Sequence, residues 1–213
     1  MLQGYFFDLD GVVLNTEPLY SEFWGEMGKK YHPEMPDFAQ RIKGQTLDQI
    51  FGSYFNGPLE KERTKIQNQL DDFEADMDFP FVPGFREFAS WLKDIKAHTA
   101  LVTSSNQMKM ANVYKRYPDF KNMFEAILTA EDFDESKPSP DCYLKAAARF
   151  GLDAKDCVGF EDSFNGLKSV RSAGMTVVGL ATTNPVDSIR PLSDVVIPDY
   201  SNQKELQRFL MEC

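Results

Sequence analysis

An apolar stretch from Gly4 to Leu9 runs into a glycine turn and predicts a short buried strand that carries two acids, Asp8 and Asp10, at its end. From Thr16 to about Phe79 no good strand is found. That segment shows helix-like stretches at 18–27, 47–55 and 59–77, the last charged with apolar residues at helical spacing, as in a partly solvated amphipathic helix. Pro80 to Pro83 reads as a return linker, and Val82-Pro83-Gly84 opens the next helix. Beyond it, helices predicted near 85–92, 107–117, 142–150 and 164–173 alternate with strands at 99–103, 126–128, 157–160 and 176–180. A strand at 195–197 and a helix at 203–211 close the pattern. Alternation of this kind predicts an α/β fold, a Rossmann-like doubly wound parallel sheet with helices on both faces. Ligands bind such sheets beyond the carboxyl ends of the strands. Asp8, Thr103 and Asp162 all fall at predicted strand ends.

Composition narrows the class. A chain of 213 residues with 42% hydrophobic positions and 18 Phe can bury a substantial core. Its net charge of -10 argues against nucleic acid or an anionic membrane as partner, since both demand clustered Lys and Arg. A phosphorylated ligand would need cations and amide dipoles supplied within the site. Cys142, Cys157 and Cys213 show neither C-x-x-C spacing nor even pairing, so no disulfide framework or zinc site is indicated. His32 and His98 belong to no ligand-like spacing and read as surface or loop positions. With no leader-like N-terminus and no window approaching about 18 apolar residues, a reduced cytoplasmic setting is expected.

Two carboxylates two residues apart at a buried strand end repel each other and resist desolvation. They need hydrogen bonds, a cation or a raised pKa to persist there. A divalent metal and a phosphorylated substrate would meet that need, whereas Asp and Gly alone would also suit a plain turn. Three further elements follow in order: Thr103-Ser104 closing the apolar run Ala100-Leu101-Val102, Lys137 before Pro138 in the approach to a helix, and Glu161-Asp162 closing Val158-Gly159-Phe160. With Asp8-Leu9-Asp10-Gly11, this ordered set resembles the four motifs of the haloacid dehalogenase superfamily, and the match covers most of the chain.

The resemblance implies residues 1–15 and 80–213 as a core domain and 16–79 as a small α-helical cap inserted after the first strand. It implies Asp8 as nucleophile and metal ligand, and Asp10 as general acid and base, with its backbone carbonyl on the metal. Thr103 and the amide of Ser104 would hold the phosphoryl oxygens beside Lys137, with Asn106 close by on the substrate side. Asp162 would be the acidic metal ligand, and Glu161 its neighbour that orients water or binds directly; an all-oxygen set of this kind suits Mg²⁺. Dehalogenases lack the second aspartate, so Asp10 argues for phosphate ester chemistry.

Substrate selection in the family falls to the cap, here Thr16 and Tyr20 in one segment and Arg41 and Lys43 in another. Both segments are similar to those of the β-phosphoglucomutase and sugar phosphate phosphatase group. Lys43 and Gly44 match the mutase loop and Thr16 a hinge residue. Tyr20 and Leu47, however, stand where the mutases carry a His and an Arg. Leu47 cannot clamp a second phosphate. A monomeric phosphatase acting on a small phosphorylated metabolite, in particular a sugar phosphate, is therefore expected first, a phosphosugar mutase second, and a non-catalytic scaffold third.

Overall fold

The structure is a computed structural model that describes residues 2–43 and 45–213. The chain forms two compact units, Met1–Asn15 with Phe79–Cys213, and Thr16–Asp78. After β1 (Gly4–Phe7), the smaller unit holds α1 (Glu17–Tyr31), α2 (Phe38–Arg41), α3 (Leu47–Tyr54) and α4 (Arg63–Asp76). The larger unit resumes with α5 (Phe85–Asp94), β2 (His98–Val102), α6 (Gln107–Arg116), β3 (Ala126–Leu128), α7 (Asp141–Phe150) and β4 (Cys157–Glu161). It ends with α8 (Phe164–Ser172), β5 (Thr176–Leu180), α9 (Val186–Ile189), β6 (Val195–Ile197) and α10 (Gln203–Glu212).

Among the described residues the six strands are all parallel, in the order β3-β2-β1-β4-β5-β6. Successive side chains of β1 point to opposite faces. Phe6 stacks on Phe150 of α7, at 6.1 Å between ring centroids, while Phe7 stacks on Phe160 at 4.5 Å and meets Phe85 and Phe88 of α5 edge-on. Each face thus has its own apolar layer, which fixes which way the residues beyond Phe7 can point. Phe7, the last residue of β1, pairs with Leu101 on one side and Phe160 on the other, so β2 and β4 each run one residue past the end of β1. The strand order reverses beside β1, with β2 on one side and β4 on the other. This is the topological switch point where doubly wound sheets open a crevice.

The smaller unit has a core of its own, in which Phe23, Trp24 and Met27 of α1 pack with Phe38, Ile50, Phe55, Ile66 and Leu70. Thr46 and Gln49 cap α3 reciprocally. The predicted helix at 59–77 divides here: Gly57, at φ +56°, and Pro58 start a tighter 3-10 turn over Gly57–Glu62, and α4 begins only at Arg63. The four-residue helices α2 and α9 are too short for periodicity to reveal. His32 corrects the expectation of a surface position: it is buried after α1 with its ring stacked on Phe38 at 4.9 Å. His98 is the first residue of β2 rather than part of a loop, and it meets Glu125 at 2.7 Å. Among the described residues no helix is long and apolar enough to cross a membrane.

Candidate active site

One residue past the end of β1, the register places Asp8 across from Val102 and Glu161, the last residues of β2 and β4. Lys137, in the loop leading to α7, reaches this point. Its Nζ donates to Asp8 Oδ1 at 2.6 Å, to Glu161 Oε1 at 2.7 Å and to the Val102 carbonyl at 3.0 Å. An ammonium has three N–H donors, and the ends of β1, β2 and β4 take one each. Burial opposes the Lys137 charge, but Asp8 and Glu161 hold its pKa above the ordinary value. For Asp8, burial prevails over the attraction of Lys137, and Glu161 and Asp10 add to it, so its carboxyl is pushed up to about 7.

Glu161, almost wholly buried, also accepts from the Tyr143 hydroxyl at 2.7 Å, on the same Oε1 that Lys137 uses. Its carboxylate lies over Gly166 in the first turn of α8, where any Cβ would overlap it. Glycine is required there by close approach. Ser163 caps the same helix by accepting from the Gly166 amide at 3.0 Å. Asp162 accepts from the Thr183 hydroxyl, and its carbonyl accepts from Asn184 Nδ2 at 2.9 Å. Gly11, at φ +75°, approaches the Asp162 carboxylate so closely that a side chain would collide with it.

Asp10 is anchored separately. Its Oδ2 receives Lys109 Nζ at 2.5 Å and Ser105 Oγ at 3.1 Å. Thr103 is buried just past β2, and its Oγ1 accepts from the Ser105 amide at 3.0 Å. Ser104 is exposed. Asn106 caps α6, its Oδ1 accepting from the Lys109 amide at 2.9 Å.

Asp8, Glu161 and Asp162 each offer a carboxylate oxygen within 4.8 Å of the others. The donors are all hard oxygens, and burial, with Glu161 and Asp10 nearby, disfavours the Asp8 charge despite Lys137. Both properties fit Mg²⁺. Each of the three already has an oxygen engaged, Asp8 by Lys137, Glu161 by Lys137 and Tyr143, and Asp162 by Thr183.

The sequence profile described as haloacid dehalogenase-like hydrolase matches residues 2–174. The chain belongs to that family. It is 28% identical over 185 residues to the phosphorylated carbohydrates phosphatase of Thermotoga maritima, covering 82% of each chain. To hexitol phosphatase B of Escherichia coli K12 it is 29% identical over 182 residues, covering 79% of each. Among solved structures it is similar in fold to β-phosphoglucomutase from Clostridium difficile, with a TM-score of 0.76 at 21% identity over 100% of this chain and 98% of the other.

Within the haloacid dehalogenase-like fold, the remaining expected residues lie in the helical unit. Thr16 is buried at the start of α1. The Tyr20 hydroxyl donates to Glu74 Oε1 at 2.6 Å. Arg41 pairs with Asp37 at 2.8 Å, both exposed, while Lys43 stands 3.8 Å from Glu17 and is largely buried. Gly44 lies outside the described residues. Leu47 opens α3 and is half-buried.

Sequence reasoning missed Lys109, Ser105, Tyr143 and Thr183. Lys109 adjoins the buried Met110 and Val113 on α6, and a lysine inside an apolar stripe is the one signal that could have exposed it. Tyr143 sits among Cys142, Ala146 and Ala147 and reads as plain core.

Proposed function

We propose that this protein is a Mg²⁺-dependent phosphoric monoester hydrolase that releases phosphate from a small phosphorylated carbohydrate through an aspartyl phosphate on Asp8. The supporting observation is the Lys137 ammonium shared by Asp8, Glu161 and the Val102 carbonyl, with Asp10 two residues beyond Asp8. An Asp8 oxygen attacks phosphorus as the bond to the ester oxygen breaks, and Asp10 gives that departing oxygen a proton. Asp10 then takes a proton from the water that attacks phosphorus, which frees phosphate and restores Asp8. Thr103 and the Ser104 amide hold the phosphoryl oxygens, and Lys137 meets the charge spread over them. Asp8, Asp162 and the Asp10 carbonyl would hold Mg²⁺, with Glu161 alongside. When bound, the ion offsets charge among the carboxylates and on the phosphoryl oxygens.

The helical unit, Thr16–Asp78, is assigned the selection of substrate, through Thr16, Tyr20, Arg41 and Lys43. Hydrolysis is favoured over mutase chemistry because the Tyr20 hydroxyl is engaged with Glu74 and Leu47 is apolar. The names of the two phosphatase relatives agree with this reading. The test is to incubate the protein with β-glucose 1-phosphate, a glucose bisphosphate primer and Mg²⁺, and to follow glucose 6-phosphate and free phosphate together. Phosphate release equal to substrate loss, abolished by chelator, is expected. Rapid glucose 6-phosphate formation with little phosphate would overturn the hydrolase reading.

A further inference from the structure

Among the described residues the buried lysines are Lys109 and Lys137, and only Lys137 lies in a recognised motif. Lys109 is carried on the first turn of α6, whose start is fixed by the Asn106 cap. Its Nζ lies 2.5 Å from Asp10 Oδ2, and Ser105 Oγ approaches the same oxygen at 3.1 Å. Ser105 is itself held, its amide donating to Thr103 Oγ1 at 3.0 Å. Two donors from the segment after β2 therefore converge on one oxygen of a side chain that follows β1. A carboxylate turns freely about its last torsion unless its oxygens are held. Here it is held by a partly buried charge-assisted bond, the strong kind.

We infer that Lys109, with Ser105, is the positioning residue that aims the Asp10 carboxylate at the departing ester oxygen. This rests on the reading of Asp10 as the acid. In the first half-reaction the bond from phosphorus to the ester oxygen breaks, the bond from Asp8 to phosphorus forms, and the Asp10 proton passes to the leaving oxygen. Lys109 gains and loses no atom. It fixes where Asp10 points and faces the negative charge left on it.

A poor leaving group needs that proton, whereas a good one departs without it, so loss of Lys109 should be felt according to the leaving group. The value of kcat/KM reports only the steps through transfer to Asp8, which makes it the quantity to compare. For Lys109→Met, kcat/KM toward a hexose 6-phosphate should fall on the order of 100-fold, within the usual range for general acid catalysis, while that toward 2,4-dinitrophenyl phosphate falls less than about 3-fold. Ser105→Ala should show the same pattern more weakly. It also serves as the second variant if Lys109→Met does not fold. Asp10→Asn should discriminate at least as strongly, and adding Lys109→Met to it should cause little further loss.

An equal loss on both substrates, or additive losses in the double variant, would overturn the inference and make Lys109 a general phosphate-attracting or structural charge. If Asp10→Asn itself showed no leaving-group discrimination, the acid reading of Asp10 would fall. If Asp10→Asn discriminated while Lys109→Met and Ser105→Ala did not, only the positioning role would fall.

Discussion

Asp8→Asn should abolish activity in the presence of Mg²⁺ and make the metal-free protein, above neutral pH, more stable. The Asp8 carboxyl is raised from 3.8 to about 7, with burial the main cause and Lys137 already pulling the other way. At ~1.4 kcal/mol per pH unit, ionising Asp8 in the folded protein costs about 4 kcal/mol, and side-chain relaxation leaves ~2–4 kcal/mol for Asn to recover. The folded-state value lies above the unfolded one, so the penalty is absent below about pH 4, grows between 4 and 7, and is full above 7. Asn keeps an oxygen to accept from Lys137 and carries no charge. Calorimetry in excess chelator should therefore place the Asp8→Asn melting temperature above wild type by about 5–15 °C at pH 8, and by less than half of that at pH 5. Mg²⁺ should then raise wild type and narrow the gap by mass action. Equal or lower stability of Asp8→Asn at pH 8, or a gap that widens toward pH 5, would refute the claim that Asp8 is an overcrowded, undercompensated carboxylate.

Tyr143→Phe removes a buried donor from Glu161 Oε1 and should lower stability by ~1.5–3 kcal/mol in denaturant titrations; an unchanged midpoint would count against that contact. A thiol reagent should modify exposed Cys213 in the native protein and reach buried Cys142 and Cys157 only after unfolding, the Cys157 thiol being pushed up to about 11 mainly by burial; fast native reaction at more than one site would contradict the packing. Lys43→Ala should alter the ratios of kcat/KM among sugar phosphates and spare an aryl phosphate, so unchanged ratios would remove Lys43 from substrate selection.

The strand-end acids were legible because a buried parallel strand reads as an apolar run, and whatever follows such a run stands at the sheet's carboxyl edge. Thus β3, β5 and β6 lie where the pattern puts them, and Asp8, Thr103 and Asp162 emerge at strand ends. What spacing could not show is who touches whom. Two of Lys137's three acceptors, Glu161 and the Val102 carbonyl, are set by the register of three strands, and register is a property of pairing across the sheet. Lys109 escaped notice because a lysine on a helix normally belongs to the solvated face, and only the fold brings it to Asp10. Tyr143 looked like core, and it is core, with its hydroxyl alone reaching the site. His32 misled in the opposite direction: belonging to no ligand-like spacing, it read as surface, yet aromatic packing buries its ring.

Asp8 is the proposed acceptor of the phosphoryl group, and trapping the intermediate identifies that acceptor. Wild-type protein with Mg²⁺ is mixed with a sugar phosphate, quenched within one turnover, and treated with hydroxylamine or borohydride, which mark acyl phosphates, before its peptides are mapped. The mark should fall on Asp8 and be absent from Asp8→Asn. A mark on Asp10, Glu161 or Asp162, or wild-type turnover with no mark on any carboxylate, would contradict it.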